Sequence, residues 1–162
     1  MAAVGPALAL GTFRPLAATL AIAALAMTGC GGSSKSSSSR RRSSLGRPSH
    51  QYVVDLTGKE AVPHGAPIGS GKAVIALHDK ALRICWRFGH LHRFVHATAA
   101  QIHRGEKGKV GPVVVPLGRR FRHKGCVKTA AATITAIAKN PHGYYVTVES
   151  RKYRSGAVRG QL

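Results

Sequence analysis

From Tyr52 onward the apolar residues tend to fall at every second position, and that period points to strands rather than helices. Leu82, Ile84, Trp86 and Phe88 alternate with Arg83, Cys85 and Arg87, so one side of the segment is apolar and the other polar and charged. A strand buried on one face and wet on the other has this pattern. Ala73, Ile75 and Leu77 repeat it over Lys72–Leu77, and His78-Asp79-Lys80 makes a short turn between the two runs, which predicts a hairpin. Further strands are expected at Tyr52–Thr57, Thr98–His103, Pro112–Leu117, Tyr144–Glu149 and Ala157–Leu162. Turn signals separate them, among them Pro63-His64-Gly65, Gly111-Pro112 and Asn140-Pro141. Thr129–Lys139 breaks the period and predicts one short helix, with Thr129 as its N-cap and Pro141 just past its end. Many short strands and one helix predict an all-β antiparallel sandwich or barrel over residues 50–162.

The first segment is built differently. Arg14 is the only charged residue before Cys30, and it precedes the apolar run Leu16–Met27. About a dozen residues are too few to span a bilayer, which takes roughly 20, but they fit the apolar region of a secretory signal. Met27-Thr28-Gly29-Cys30 resembles a bacterial lipobox. The resemblance implies a signal peptide over 1–29, cleavage before Cys30, and a diacylglycerol on the Cys30 sulfur. An uncleaved anchor, or a plain signal peptide with an incidental cysteine, is the alternative. Residues 30–49 then form a lipid-anchored linker rich in Ser and Arg, too polar to offset its own ordering entropy. As a flexible coil it reaches roughly 25 Å. Its Arg40-Arg41-Arg42 triplet either rests on anionic headgroups or is simply solvated. The chain is thus expected to be exported and held on a cell membrane, facing the periplasm or the exterior.

Cysteine parity agrees with that address. With Cys30 acylated, Cys85 and Cys126 remain, and a disulfide between them would close a loop of about 40 residues, worth ~4 kcal/mol in chain entropy. The alternative is two reduced, buried thiols, which an oxidising compartment disfavours.

Charge narrows the chemistry. There are 25 Lys and Arg against 5 Asp and Glu, a net charge of +20. So few carboxylates leave little for carboxylate-rich metal cages, two-metal phosphoryl transfer or paired-acid glycoside hydrolysis. Gly69-Ser70-Gly71-Lys72 lacks the spacing and the Ser or Thr of a phosphate loop and opens a strand instead of a helix. No nucleophile elbow occurs, and no catalytic constellation emerges, so the chain is not expected to be an enzyme or to carry a cofactor. The densest cations, Arg119, Arg120, Arg122 and Lys124, could grip an anionic envelope polymer or lipid; a merely solvated basic surface is the alternative. Nucleic acid is a poorer fit, because no nucleic-acid fold signature accompanies the charge and export removes the domain from the chromosome.

Several segments resemble the CHRD (chordin-type) domain. Leu56-Thr57-Gly58-Lys59-Glu60-Ala61-Val62-Pro63 resembles its opening strand and Glu-x-Val-Pro turn, and Gly69-Ser70-Gly71-Lys72-Ala73 its glycine-rich approach to the second strand. Ala99-Ala100-Gln101-Ile102-His103-Arg104-Gly105 with Gly111-Pro112-Val113-Val114 resembles its central block. Gly143-Tyr144-Tyr145-Val146 and Gly156-Ala157-Val158-Arg159-Gly160-Gln161-Leu162 resemble its closing strands. The likeness runs in order over roughly 52–162, and Cys85-Trp86 and Gly125-Cys126 look like its bacterial branch. It implies an antiparallel, Greek-key-like β-sandwich loosely similar to copper/zinc superoxide dismutase, and it implies no reaction.

Two departures bear on metal binding. Gln101 stands where the family commonly has His, and Thr147-Val148-Glu149 where it often has Asn-Val-His. His103, Gln101 and Glu149 remain as candidate ligands, a weaker set than three histidines, and no metal is assigned. His90 and His92 are read as loop residues with His96 after them, and His103 as a hydrogen-bonding group at a strand end. Glu60 and Arg159, in the two most family-like segments, are expected to form an ion pair joining the first and last strands.

These observations favour a cell-envelope lipoprotein displaying a non-catalytic CHRD-like binding or structural module with an anionic partner. The alternatives are a metal-binding redox protein of superoxide-dismutase-like type and an extracellular polyanion or nucleic-acid binder.

Overall fold

The alternating segments form eight antiparallel strands. β1 His50–Thr57, β2 Ser70–His78, β3 Arg83–His92, β4 Ala97–Arg104, β5 Val113–Pro116 and β6 Lys124–Lys128 lead to helix α1 Ala131–Lys139. A 3-10 turn, Pro141–Gly143, then precedes β7 Tyr144–Ser150 and β8 Val158–Gln161. The computed structural model describes residues 45–162, so the expected signal peptide, Cys30 and the linker through Ser44 lie outside the described residues.

The strands make one sheet in the order β5-β4-β7-β8-β1-β2-β3-β6. The sheet curls into a half-barrel, so the all-β antiparallel expectation holds. The first and last strands are neighbours, and their ladder is short, with Thr57 opposite Arg159 as its one registered pair. Residues from strands on both sides of that join enter a single core. Ala73, Ile75, Leu77, Ile84, Ile102, Val146 and Val148 are completely buried there. Each large aliphatic among them contributes about 1.5–3 kcal/mol by leaving water. The helix adds Ile134 and Ile137, three positions apart and therefore on one side of it.

Three local expectations are corrected. The helix starts at Ala131 with Ala130 as its cap, and no side chain caps it. Thr129 cannot serve, because its N–H donates to Leu82 O and keeps it in the sheet ladder. β3 runs on to His92, which lies opposite Ser70, so His90 and His92 are strand residues. His90, Arg93 and His96 take positive φ values of 52°, 64° and 54° where the chain bends away.

β6 was not anticipated. Its Lys-Gly-Cys-Val-Lys shows almost no apolar alternation, because the inward position opposite Trp86 is Gly125. A Cβ there would lie 2.6 Å from Trp86 Cζ2, so the indole fills the space a side chain would take. Cys85 lies directly opposite Cys126 in the same ladder, and the two are bonded as a disulfide on the outer, cationic side of the sheet.

Candidate functional site

Period two turns His103 on β4, Tyr145 and Thr147 on β7, and Arg159 on β8 away from the core, onto the sheet's outer face. Tyr145 lies between His103 and Arg159. His103 stacks on it with centroids 4.9 Å apart and planes 9° apart, and the Arg159 guanidinium lies 3.4 Å from its ring centroid. Arg159 is 2% exposed, although its face of the sheet would otherwise meet solvent.

What covers it is the loop joining β4 to β5. Arg159 donates from Nη1 to Lys109 O and from Nη2 to Glu106 O, both at 2.7 Å. Gly111 N–H donates to Tyr145 Oη at 3.0 Å, and His103 Nδ1 donates to Gly111 O at 2.9 Å. Gly111 is required at this close approach, since a Cβ on it would lie 1.6 Å from Arg104 O. Gln161 closes the other end, its Nε2 lying 2.8 Å from Gly105 O, 2.7 Å from His142 O and 2.8 Å from Tyr144 O. The assembly is a brace: one sheet face presents a planar cation and an amide N–H2, and backbone carbonyls of the β4–β5 loop, with those of His142 and Tyr144, accept from them.

The expected Glu60–Arg159 ion pair is therefore corrected. Glu60 Oε1 instead accepts from Lys107 Nζ at 2.9 Å. The buried guanidinium needs acceptors in the plane of its fork, and the two loop carbonyls provide them. Burial lowers the Arg159 pKa from its usual value, and Tyr145 and then Glu60 offset part of that.

Beside the brace lies a cleft of about 240 Å³, lined by Val62, Pro63, His103, Thr147, Glu149 and Arg154 among others. Burial raises the Glu149 carboxyl above its ordinary value, and the nearby His103 offsets part of that. Gln101 lies opposite Thr147, His103 opposite Tyr145, and Glu149 opposite Ala99. His103 and Glu149 are thus four register positions apart, about 13 Å along the strands. Nε2 of His103 accepts from Thr147 Oγ1 at 3.3 Å, so both ring nitrogens are engaged. His103 and Glu149 both line this cleft, and Gln101 lies between them in register. Among the described residues no group of three or more His, Cys, Asp or Glu is arranged to hold a metal ion.

The segments that build this brace carry the family likeness, and the CHRD domain family model matches residues 52–162. The chain belongs to the CHRD domain family. Comparison with curated proteins and with solved structures gives no match.

The CHRD domain has a second polar surface at the β6 edge. Arg119, Arg120, Arg122 and Lys124 are all exposed there. Trp86 Nε1 donates to Arg122 O at 2.9 Å, and Phe88 N–H donates to His123 O at 2.6 Å, so the basic loop is anchored at its C-terminal end. A concavity of about 440 Å³ lies among Trp86, Arg119, Arg120 and Arg122. Sequence reasoning found this loop and Arg159, but it missed Tyr145, on which Arg159 stacks, and Gln161, which bonds Gly105 O. Tyr145 was within reach, since it stands two positions before Thr147 and so shares its face.

Proposed function

We propose that this CHRD domain is a non-catalytic binding module, displayed from a membrane by a lipid on Cys30, and that its partner is anionic. The observation that carries the reading is the exposed, anchored loop from Arg119 to Lys124. The brace supports it from the other side: the histidine, tyrosine and arginine that stand out chemically are consumed in holding the β4–β5 loop. A module that presents fixed cations gains affinity by releasing counterions, and that affinity falls steeply with salt.

The test has two arms. Retention of the full chain on an anionic matrix is expected to fall steeply between about 50 and 200 mM salt. The fourfold variant Arg119→Gln, Arg120→Gln, Arg122→Gln, Lys124→Gln is expected to lose most of it. Wild-type retention that does not respond to salt would overturn the reading. Metabolic labelling with palmitate is expected to mark the wild type and to vanish in Cys30→Ser; a labelled Cys30→Ser chain would remove the anchor from the account.

A further inference from the structure

The outer face of the β3–β6 ribbon carries a charge arrangement that folding does not ask for. Register sets Arg83 directly opposite Lys128 and Arg87 directly opposite Lys124, with the Cys85–Cys126 bridge between the two pairs. Like charges directly opposite one another destabilise a sheet. Pairing continues past Lys124 through the bond from Phe88 N–H to His123 O. None of the chain's carboxylates lies on either strand: Asp55, Glu60, Asp79, Glu106 and Glu149 are all elsewhere. Asp55 and Glu60 already pair with Lys72 and Lys107. Lysines on an edge strand guard against edge-to-edge association, which accounts for Lys124 and Lys128. It does not account for Arg83 and Arg87, because β3 is paired on both sides.

We propose that this ribbon is the docking surface for a linear phosphate-bearing polymer. The inference rests on the anionic-partner reading and narrows it to one face and one ligand class. Two files of cations about 4.8 Å apart, extending about 13 Å from Arg83 to Arg87, match a chain lying along the ribbon and met from both sides. A phosphate between opposed cations relieves their repulsion, and the arginine forks can take its oxygens in pairs. A bilayer surface fits less well. Among the described residues the large exposed apolar ones are Val53, Ile68, Leu82, Val95, Val110 and Val113, and none lies on β3 or β6 to insert among lipids.

The test uses the oxidised full chain in detergent, with long-chain inorganic polyphosphate as the probe and phosphatidylglycerol vesicles as a second arm. Arg83→Gln/Arg87→Gln is compared with Arg104→Gln/Lys139→Gln, which removes the same charge from exposed positions elsewhere. The ribbon variant is expected to bind polyphosphate about tenfold or more weakly at moderate salt, with a salt dependence shallower by about two, and the remote variant within about twofold of wild type. The ribbon variant is also expected to melt no lower than wild type, since it relieves a repulsion. Lys124→Gln/Lys128→Gln, which empties the opposite file, is expected to behave alike and stands in should the first variant fold poorly. Equal losses in the ribbon and remote variants overturn the inference. Binding to vesicles but not to polyphosphate overturns the polymer and leaves an anionic partner standing. Binding to neither probe overturns the underlying reading as well.

Discussion

Removing the guanidinium of Arg159 tests the brace more sharply than any other change. Arg159→Met keeps the length of the side chain but deletes two charge-assisted hydrogen bonds, to Glu106 O and Lys109 O, and the stack on Tyr145. Bonds of this kind contribute about 1.5–3 kcal/mol each, and a cation over an aromatic ring about 0.5–2 kcal/mol. Two effects offset part of the sum. Methionine regains the cost of burying a charge, and Glu106 and Lys109 lie on an exposed loop, where water can reach their freed carbonyls. The net loss is expected to be about 3 kcal/mol, a fall of roughly 10 °C in Tm for a domain of this size. Urea unfolding measures the total, and hydrogen exchange locates it, with protection lost first in loop 105–112. Arg159→Lys keeps the charge but not the fork, and should lose about half as much. Because Glu60 pairs with Lys107, a cycle of Glu60→Gln and Arg159→Met should be nearly additive, with coupling below about 0.5 kcal/mol. An Arg159→Met chain within about 0.5 kcal/mol of wild type, or one destabilised with loop 105–112 still protected, would refute the brace.

Three further outcomes follow from the same geometry. Gly125→Ala drives a Cβ to 2.6 Å from an indole that is pinned through Nε1, and should cost about 1–3 kcal/mol; fluorescence of Trp86, the only tryptophan, reports it during unfolding, and unchanged stability would contradict the packing. Cys85→Ser/Cys126→Ser opens a bridge spanning 41 positions and should cost about 4 kcal/mol in equilibrium unfolding; a loss under about 1 kcal/mol would mean the register of β6 does not depend on it. The Glu149 carboxyl is raised by burial, so the folded state holds that proton more tightly than the unfolded chain does. Its contribution is favourable below the ordinary value of 4.5 and is lost as pH rises through the raised one. Glu149→Gln should therefore gain stability at pH 7 and lose the advantage in acid, and a variant weaker than wild type at pH 7 would contradict this.

Much of the fold was legible because burial on one face writes itself into the sequence. Ile84, Trp86 and Phe88 must alternate with Arg83, Cys85 and Arg87 if β3 is to have a dry side. β6 was illegible for the opposite reason: Trp86 fills the space across from it, and the strand answers with Gly125. Thr129 looked like a cap, yet its N–H was already committed to Leu82 across the sheet, a contact that local spacing cannot reveal. The site shows the same division. Arg159 was visible as a residue, but its partners are backbone carbonyls of a loop some fifty positions away, and carbonyls carry no sequence signature. Glu60, like Arg159, stands in a family-like segment, yet it pairs with Lys107 while the guanidinium takes backbone acceptors.

His103 holds the β4–β5 loop through Gly111 O and stacks on Tyr145, as a brace and not as the centre of a redox site. The most direct measurement is the metal content of the oxidised full chain, purified from an oxidising compartment, beside that of His103→Ala. Substoichiometric metal that does not change in His103→Ala is expected, together with a less stable variant in which loop 105–112 exchanges faster. One tightly held copper or zinc per chain, lost with His103, would contradict it and make the protein a metalloprotein.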